Sequence, residues 1–265
     1  MKTNQIQLFG LTLGLAFLSL LRAGAATPSY LEDFESYAIG DTPVTNFTEV
    51  DTDRWTIVAP SFSSQGYQND ISVFSPGIGV SAGENSSALV EFPTLAASNF
   101  YLATDFVIDS LVLDGLDPNN TAFISLVARG ADGSLASSGG DRYQVSYYLD
   151  DDGLGHPTGR LYLSEHNLFF GDSLNKLSAR ALPVTPGNVY TMIFEGKVVG
   201  GTLQVRGTLM DVTASTAIVV VGTDSANILG GSYFGYFNNV RVEDGGTVAL
   251  NADFDNFNAA RRRPR

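Results

Sequence analysis

The sequence predicts an all-β protein built from two packed antiparallel sheets. Three observations lead there. Short runs rich in β-branched and aromatic residues alternate with turn clusters, and no stretch carries a helical apolar period with caps at both ends. Glycine is abundant, at 28 residues beside 17 Phe and 11 Tyr, as many strands joined by tight turns require. The segments between runs are too short for the crossovers that parallel strands need.

The chain has 265 residues, a length that one large β-sandwich can use. Charged residues make up 16% and apolar residues 44%, a balance that favours a packed core over disorder. The formal charge of −13 argues against nucleic acid and anionic membrane surfaces as partners, since both attract basic patches. No cysteine is present, so neither disulfides nor thiolate metal sites are available.

Residues 1–26 read as a signal peptide. Lys2 supplies the positive end, Leu8 to Leu21 the apolar run, and Ala23-Gly24-Ala25 the small-residue cleavage pattern. Export to the periplasm or the medium is therefore expected, with no membrane span in the mature chain. Residues 27–258 read as one domain, because neither an internal repeat nor a Pro- or Ser-rich linker divides them. Residues 259–265, which carry Arg261, Arg262, Arg263 and Arg265, read as a disordered basic tail.

About a dozen strands are predicted. The clearest are 100–108, 122–129, 143–149, 160–163, 189–198, 202–211, 218–222, 233–242 and 248–254. Tight turns are expected at Asp117 to Asn120, Asp132-Gly133, Asp150 to Gly153, Val199 to Gly201 and Asp244 to Gly246, where Gly or Asn tolerates positive φ. Alternation along two of these strands places Phe194, Val198, Leu203, Val205 and Leu209 toward a core, with Glu195, Lys197, Gln204, Arg206 and Thr208 opposite.

Several segments together resemble the concanavalin A-like lectin and glucanase superfamily, in particular its secreted bacterial laminin-G-like members. They are the opening Leu31-Glu32-Asp33-Phe34-Glu35-Ser36-Tyr37, the centre Leu126 to Arg129 followed by Asp141-Arg142-Tyr143-Gln144-Val145, the segment Tyr190 to Gly196, and the close Gly235-Tyr236-Phe237 with Asp253 to Phe257. The resemblance covers about residues 29 to 258. It implies a jelly-roll sandwich whose concave face accommodates carbohydrate. It also implies a structural calcium tying the N-terminal region to the last strand, with Glu35 and the Gly40 carbonyl at one side and Asp253 or Asp255 at the other.

The glucanases of that superfamily use a Glu-x-Asp-x-Glu or Glu-x-Asp-x-x-Glu strand as nucleophile and acid/base. This chain has no such sequence. Its nearest approach, Glu49-Val50-Asp51-Thr52-Asp53, ends in Asp and reads as an acidic loop or edge strand before Trp55. Gly79-Val80-Ser81-Ala82-Gly83 matches a nucleophile elbow in letters but lacks the strand-to-helix context, and reads as a Gly/Ser loop. The two histidines, His156 and His166, read as surface imidazoles, and Asp150 to Asp152 as an acidic hairpin turn.

Carbohydrate binding calls for aromatic faces against sugar C–H surfaces and planar polar groups against hydroxyls. Arg129, Arg142, Gln144, Tyr148 and Tyr162 form the expected set, and strand periodicity puts Arg142, Gln144 and Tyr148 on one face. An ordinary solvated sheet face, with Arg stacked on Tyr, is the alternative. The expected function is a secreted non-catalytic carbohydrate-binding or adhesion module. A divergent glycan hydrolase or lyase and a structural envelope protein are the competing readings.

Overall fold

A computed structural model describes residues 30–42, 47–50, 54–77, 79–96, 99–114, 120–132, 140–151, 157–166, 174–226 and 228–261. Among them lie fifteen strands and one short 3-10 turn, Pro93–Leu95. The first sheet has eight strands. Seven follow the order β13 (Thr216–Asp224), β12 (Thr202–Asp211), β11 (Val189–Val199), β6 (Phe100–Asp114), β15 (Gly246–Arg261), β4 (Gly66–Ser75) and β3 (Trp55–Val58). The eighth, β1 (Tyr30–Glu32), pairs with the end of β15. The second sheet has seven, ordered β10 (Asn175–Pro183), β9 (Pro157–His166), β8 (Arg142–Asp151), β7 (Thr121–Gly130), β14 (Tyr233–Val242), β5 (Ala82–Glu91) and β2 (Thr48–Val50).

Every strand pairing among the described residues is antiparallel. The two sheets face one another as a jelly-roll sandwich, the fold class the sequence predicts. No helix among the described residues is long and apolar enough to cross a membrane. The expected signal peptide lies outside the described residues.

All nine of the clearest predicted strands fall within observed ones. Val199 pairs with Thr202 across Gly200 and Gly201, whose φ of +59° and +81° suit the mirror-image turn that matches strand twist. Strands β1, β3, β4, β5 and β10 are additions to those nine. In β4 and β5 the apolar alternation is broken by polar side chains that nonetheless face the core. Asn69 and Asn238 are fully buried and Ser86 nearly so. Asn238 Nδ2 donates to Asn69 Oδ1 at 2.9 Å, and Asn69 Nδ2 donates to Ser86 Oγ at 3.1 Å. A buried amide is tolerated because its partners are other buried polar groups. Residues 259–261 extend β15 through pairing with β6 and β1, which corrects the expected disorder at those positions, and residues 262–265 lie outside the described residues.

The core between the sheets is aromatic at its centre. Tyr236 of the second sheet lies 4.6 Å from Phe254 and 5.9 Å from Trp55 of the first, ring centre to ring centre, joining the two sheets, and Trp55 stacks in turn on Tyr67 at 4.7 Å. Tyr236 is fully buried, and its hydroxyl meets Thr104 Oγ1 at 2.9 Å, so its polar end is satisfied.

Strand β14 packs closely on β5 at Gly235. A Cβ there would lie 2.3 Å from the Ala88 carbonyl oxygen, and the backbone holds φ at +151°. Both facts select glycine. Gly235→Ala is expected to destabilise the protein by about 2–3 kcal/mol, from backbone strain plus overpacking, as read from denaturant midpoints.

Candidate functional site

Inner and outer faces of the seven-stranded sheet follow from alternation. On β8, Tyr143, Val145, Tyr147 and Leu149 enter the core, which turns Arg142, Gln144, Ser146 and Tyr148 outward. On β9, Tyr162 is opposite Ser146 and shares that outer face. Four of the five expected ligand residues therefore sit together on one face.

Arg129 does not join them. Alternation from Ala122, Ile124, Leu126 and Ala128 would send it outward, but a bulge intervenes. Tyr233 pairs with Gly130 and Gly235 with Val127, so Ala128 and Arg129 together oppose Phe234 alone. Arg129 takes φ +56° and turns into the sandwich. There its Nη1 donates to the Leu229 carbonyl at 2.9 Å and its guanidinium lies 5.7 Å from the centre of the Phe100 ring. The Leu229 N–H in turn donates to the Tyr143 hydroxyl, which donates to Asp224. Burial, reinforced by the hydrogen bond to Asp224, pushes the Tyr143 pKa up and keeps the phenol protonated. Arg129 thus pins the segment after β13 from inside.

The outer face has a closed half and an open half. In the closed half Arg142 is 2% exposed and Gln144 3%. Arg142 Nε donates to Gln144 Oε1 at 2.9 Å, and its guanidinium lies 4.5 Å above the Phe237 ring. Gln144 Nε2 donates to Ser146 Oγ at 2.7 Å and Ser125 Oγ at 3.1 Å, while Leu89, Val127 and Phe237 form a small apolar cluster beside them. These groups are committed to one another and form a rigid floor.

The open half is a row that crosses five strands. Asn85 opposes Asn239, Asn239 opposes Phe123, Phe123 opposes Tyr148, and Tyr148 opposes Arg160. Four inter-strand gaps of ~4.8 Å make the row about 19 Å long. The Phe123 and Tyr148 rings stack at 6.0 Å with 20° between planes, and Tyr162 meets Tyr148 edge-on at 6.5 Å. Asn239 Nδ2 donates to Asn85 Oδ1 at 2.6 Å and to the Glu84 carbonyl at 3.2 Å, which fixes both amides. Around them Ser81, Ala82, Gly83 and Arg241 shape an open hollow of ≈ 230 Å³. Arg241 is paired with Glu243, yet its side chain stays 57% exposed.

Sequence reasoning missed Asn85, Phe123, Arg160, Asn239 and Arg241. Their common signal is cross-strand register, which a linear sequence does not display. The segment Gly79 to Gly83 is split between a turn and the start of β5, and Thr48–Val50 is the edge strand anticipated before Trp55. Asp152 and His156 lie outside the described residues, as do the side chains of Asp150 and Asp151.

The expected metal residues divide into two places. Glu35 Oε1 accepts from Ser64 Oγ at 2.5 Å and from the Gln65 N–H at 3.2 Å. Asp255 is close enough to feel it. Burial pushes the Asp255 carboxyl up to about 6, and the charges of Asp105 and Glu35 add to that shift. Gly40 holds φ +91° and its N–H donates to the Ile57 carbonyl at 2.8 Å, tying this loop to β3. The hard oxygens of Glu35 and Asp255 suit calcium. Among the described residues no three acidic or histidine side chains converge on one point, so further oxygens would have to come from backbone or water. Asp253 lies elsewhere, accepting from Gln68 Nε2 at 2.9 Å and bonded to Asp109.

No protein-family model matches the chain, and no curated protein matches it. Solved structures do. An alginate lyase from Klebsiella pneumoniae aligns at 13% identity and TM-score 0.48, over 79% of this chain and 85% of that one. A basic winged bean lectin solved with Tn-antigen aligns at 10% and 0.48, over 88% and 99%, and lectin II from Ulex europaeus at 10% and 0.46, over 88% and 100%. Likenesses this weak leave ligand and activity to the residues themselves.

Burial, and then the hydrogen bond to Asp109, raises the Asp253 carboxyl from 3.8 to about 7. A carboxyl whose folded pKa exceeds its unfolded value stabilises the fold at low pH, and this contribution is lost as pH rises through about 4 to 7. Asp253→Asn is expected to flatten that decline in thermal melts run with a chelator, and to raise Tm at pH 8 relative to the parent.

Proposed function

We propose that this protein is a glycan-binding module of the concanavalin A-like superfamily, and that the row from Asn85 to Arg160 is its sugar platform. The observation that carries the reading is the half-exposed Phe123 and Tyr148 stack, flanked by pre-fixed amides and an exposed guanidinium at each end. Aromatic rings offer apolar faces to sugar C–H surfaces, while Asn85, Asn239, Arg160 and Arg241 supply planar hydrogen-bonding groups. A row of this length suits an oligosaccharide rather than one sugar. Among the side chains described on this face, Glu91 near the closed half is the one carboxylate on a strand, so the open row offers aromatic and amide groups rather than a pair of acids.

A glycan-array and polysaccharide pull-down of the mature chain, with product release assayed on each hit, tests the reading. Binding without product is expected. Tyr148→Ala and Phe123→Ala are each expected to weaken the best hit by about 1–2 kcal/mol, roughly five- to thirtyfold in Kd. Gln144→Ala is expected to act through stability instead. Released product would replace this reading with an enzymatic one, and binding indifferent to both aromatic variants would move the site off this row.

The same proposal includes a structural calcium held by Glu35 and Asp255. The ion would link the loop after β1 to β15 and relieve the like-charge crowding at Asp255. An ion bound only by the folded state raises Tm with its concentration. Millimolar calcium is expected to raise Tm over the chelated protein, and Asp255→Asn to abolish the shift.

A further inference from the structure

A second cavity lies on the other sheet, where β11, β12 and β13 approach β10. It is an open groove of ≈ 510 Å³. Its charge runs against the rest of the molecule. The whole chain carries −13, yet this groove is lined by Lys176, Lys197 and Arg206 with Glu195 as its one acid. Strand register fixes the layout. Lys197 opposes Gln204, which opposes Thr223, and in the next row Glu195 opposes Arg206. Lys197 and Arg206 are diagonal neighbours on adjacent strands, about 7–8 Å apart at the backbone. Lys176 comes from β10, so the groove draws cations from both sheets.

We propose that this groove is an anion-selective glycan subsite, separate from the aromatic row, that takes a polysaccharide segment bearing carboxylate or sulfate groups. Lys176, Lys197 and Arg206 answer the anionic groups through charge-assisted hydrogen bonds. Gln204, Thr223 and Glu195 are placed beside them to meet sugar hydroxyls. The ligand's charge must be sparse. A nucleic acid carries one charge per ~1.7 Å of duplex, and a net-negative protein with three cations repels such a chain more than it holds it. The groove also has no aromatic platform for bases among the lining residues. A polysaccharide with isolated acidic groups avoids both objections.

The test uses affinity electrophoresis and calorimetry of the full chain against polygalacturonate, a carrageenan with one sulfate per disaccharide, and uncharged dextran. Binding to one or both polyanions is expected, weakening as NaCl rises from about 0.05 to 0.5 M, with uncharged dextran not competing. The carboxylated and sulfated probes separate the two sources of charge. The triple variant Lys176→Ala, Lys197→Ala, Arg206→Ala is expected to lose about tenfold or more in affinity with an unchanged Tm, whereas Tyr148→Ala keeps it. The single reversal Lys197→Glu gives the same direction should the triple variant fold poorly. The proposal is overturned if neither polyanion binds, if the cation variants bind like the parent, or if Tyr148→Ala alone removes polyanion binding. It is equally overturned if the cation variants instead dissolve an oligomer of the parent, since the groove would then hold an acidic surface of a second copy. Because Tyr148 and the cations are varied separately, failure here leaves the aromatic row untouched.

Discussion

One buried carboxamide ties three strands and both sheets. Asn238 on β14 accepts the Ser125 backbone N–H of β7 at 3.3 Å through Oδ1, and donates through Nδ2 to Asn69 on β4 of the opposite sheet. Strand faces alternate with period two, so a slip of one residue between β7 and β14 would exchange the inner and outer sets. Such a slip would place Phe123 and Ser125 in the core and bring Ile124 and Leu126 to solvent. It would also take the Ser125 N–H away from the buried Asn238 Oδ1, a penalty of about 1–3 kcal/mol for an orphaned group. The amide thereby helps to specify register, and register decides which side chains make the open row.

The two halves of the outer face separate rigidity from exposure. Arg142, Gln144, Ser125 and Ser146 satisfy one another and hold the sheet floor in one arrangement. Phe123, Tyr148, Tyr162 and Arg160 then stand on that floor with exposed surface to spare. Preorganisation of this kind lowers the ordering entropy that a ligand must overcome. The buried Arg129, Tyr143 and Asp224 chain does similar work at the inner face, where it anchors the connection from β13 to β14.

Much of the fold was legible because the longest strands carry clean alternation or unbroken apolar runs, as in 100–108 and 202–211. Strands β4 and β5 were hidden by Asn69, Asn85 and Ser86, which look like turn residues and satisfy their polarity only against another strand. Periodicity put Arg142, Gln144 and Tyr148 on one face, in agreement with the structure. Arg129, expected in the same ligand set, turns inward instead, because a bulge shifts the phase of every residue beyond it and leaves no mark in composition. Asn239 lay inside a predicted strand, but its alignment with Asn85 across 154 positions emerges only when β14 pairs with β5.

The open row takes one residue from each of five strands, and neighbours in space are distant in the chain. No contiguous motif exists for selection to preserve or for a sequence comparison to detect. Each position can vary on its own, since an exposed side chain on a sheet face can change without repacking the interior. Under the proposed glycan-binding role, a lineage could therefore redirect the surface from one sugar to another in single steps while the scaffold stayed fixed, and descendants with different preferences would keep the shape long after they had ceased to look alike.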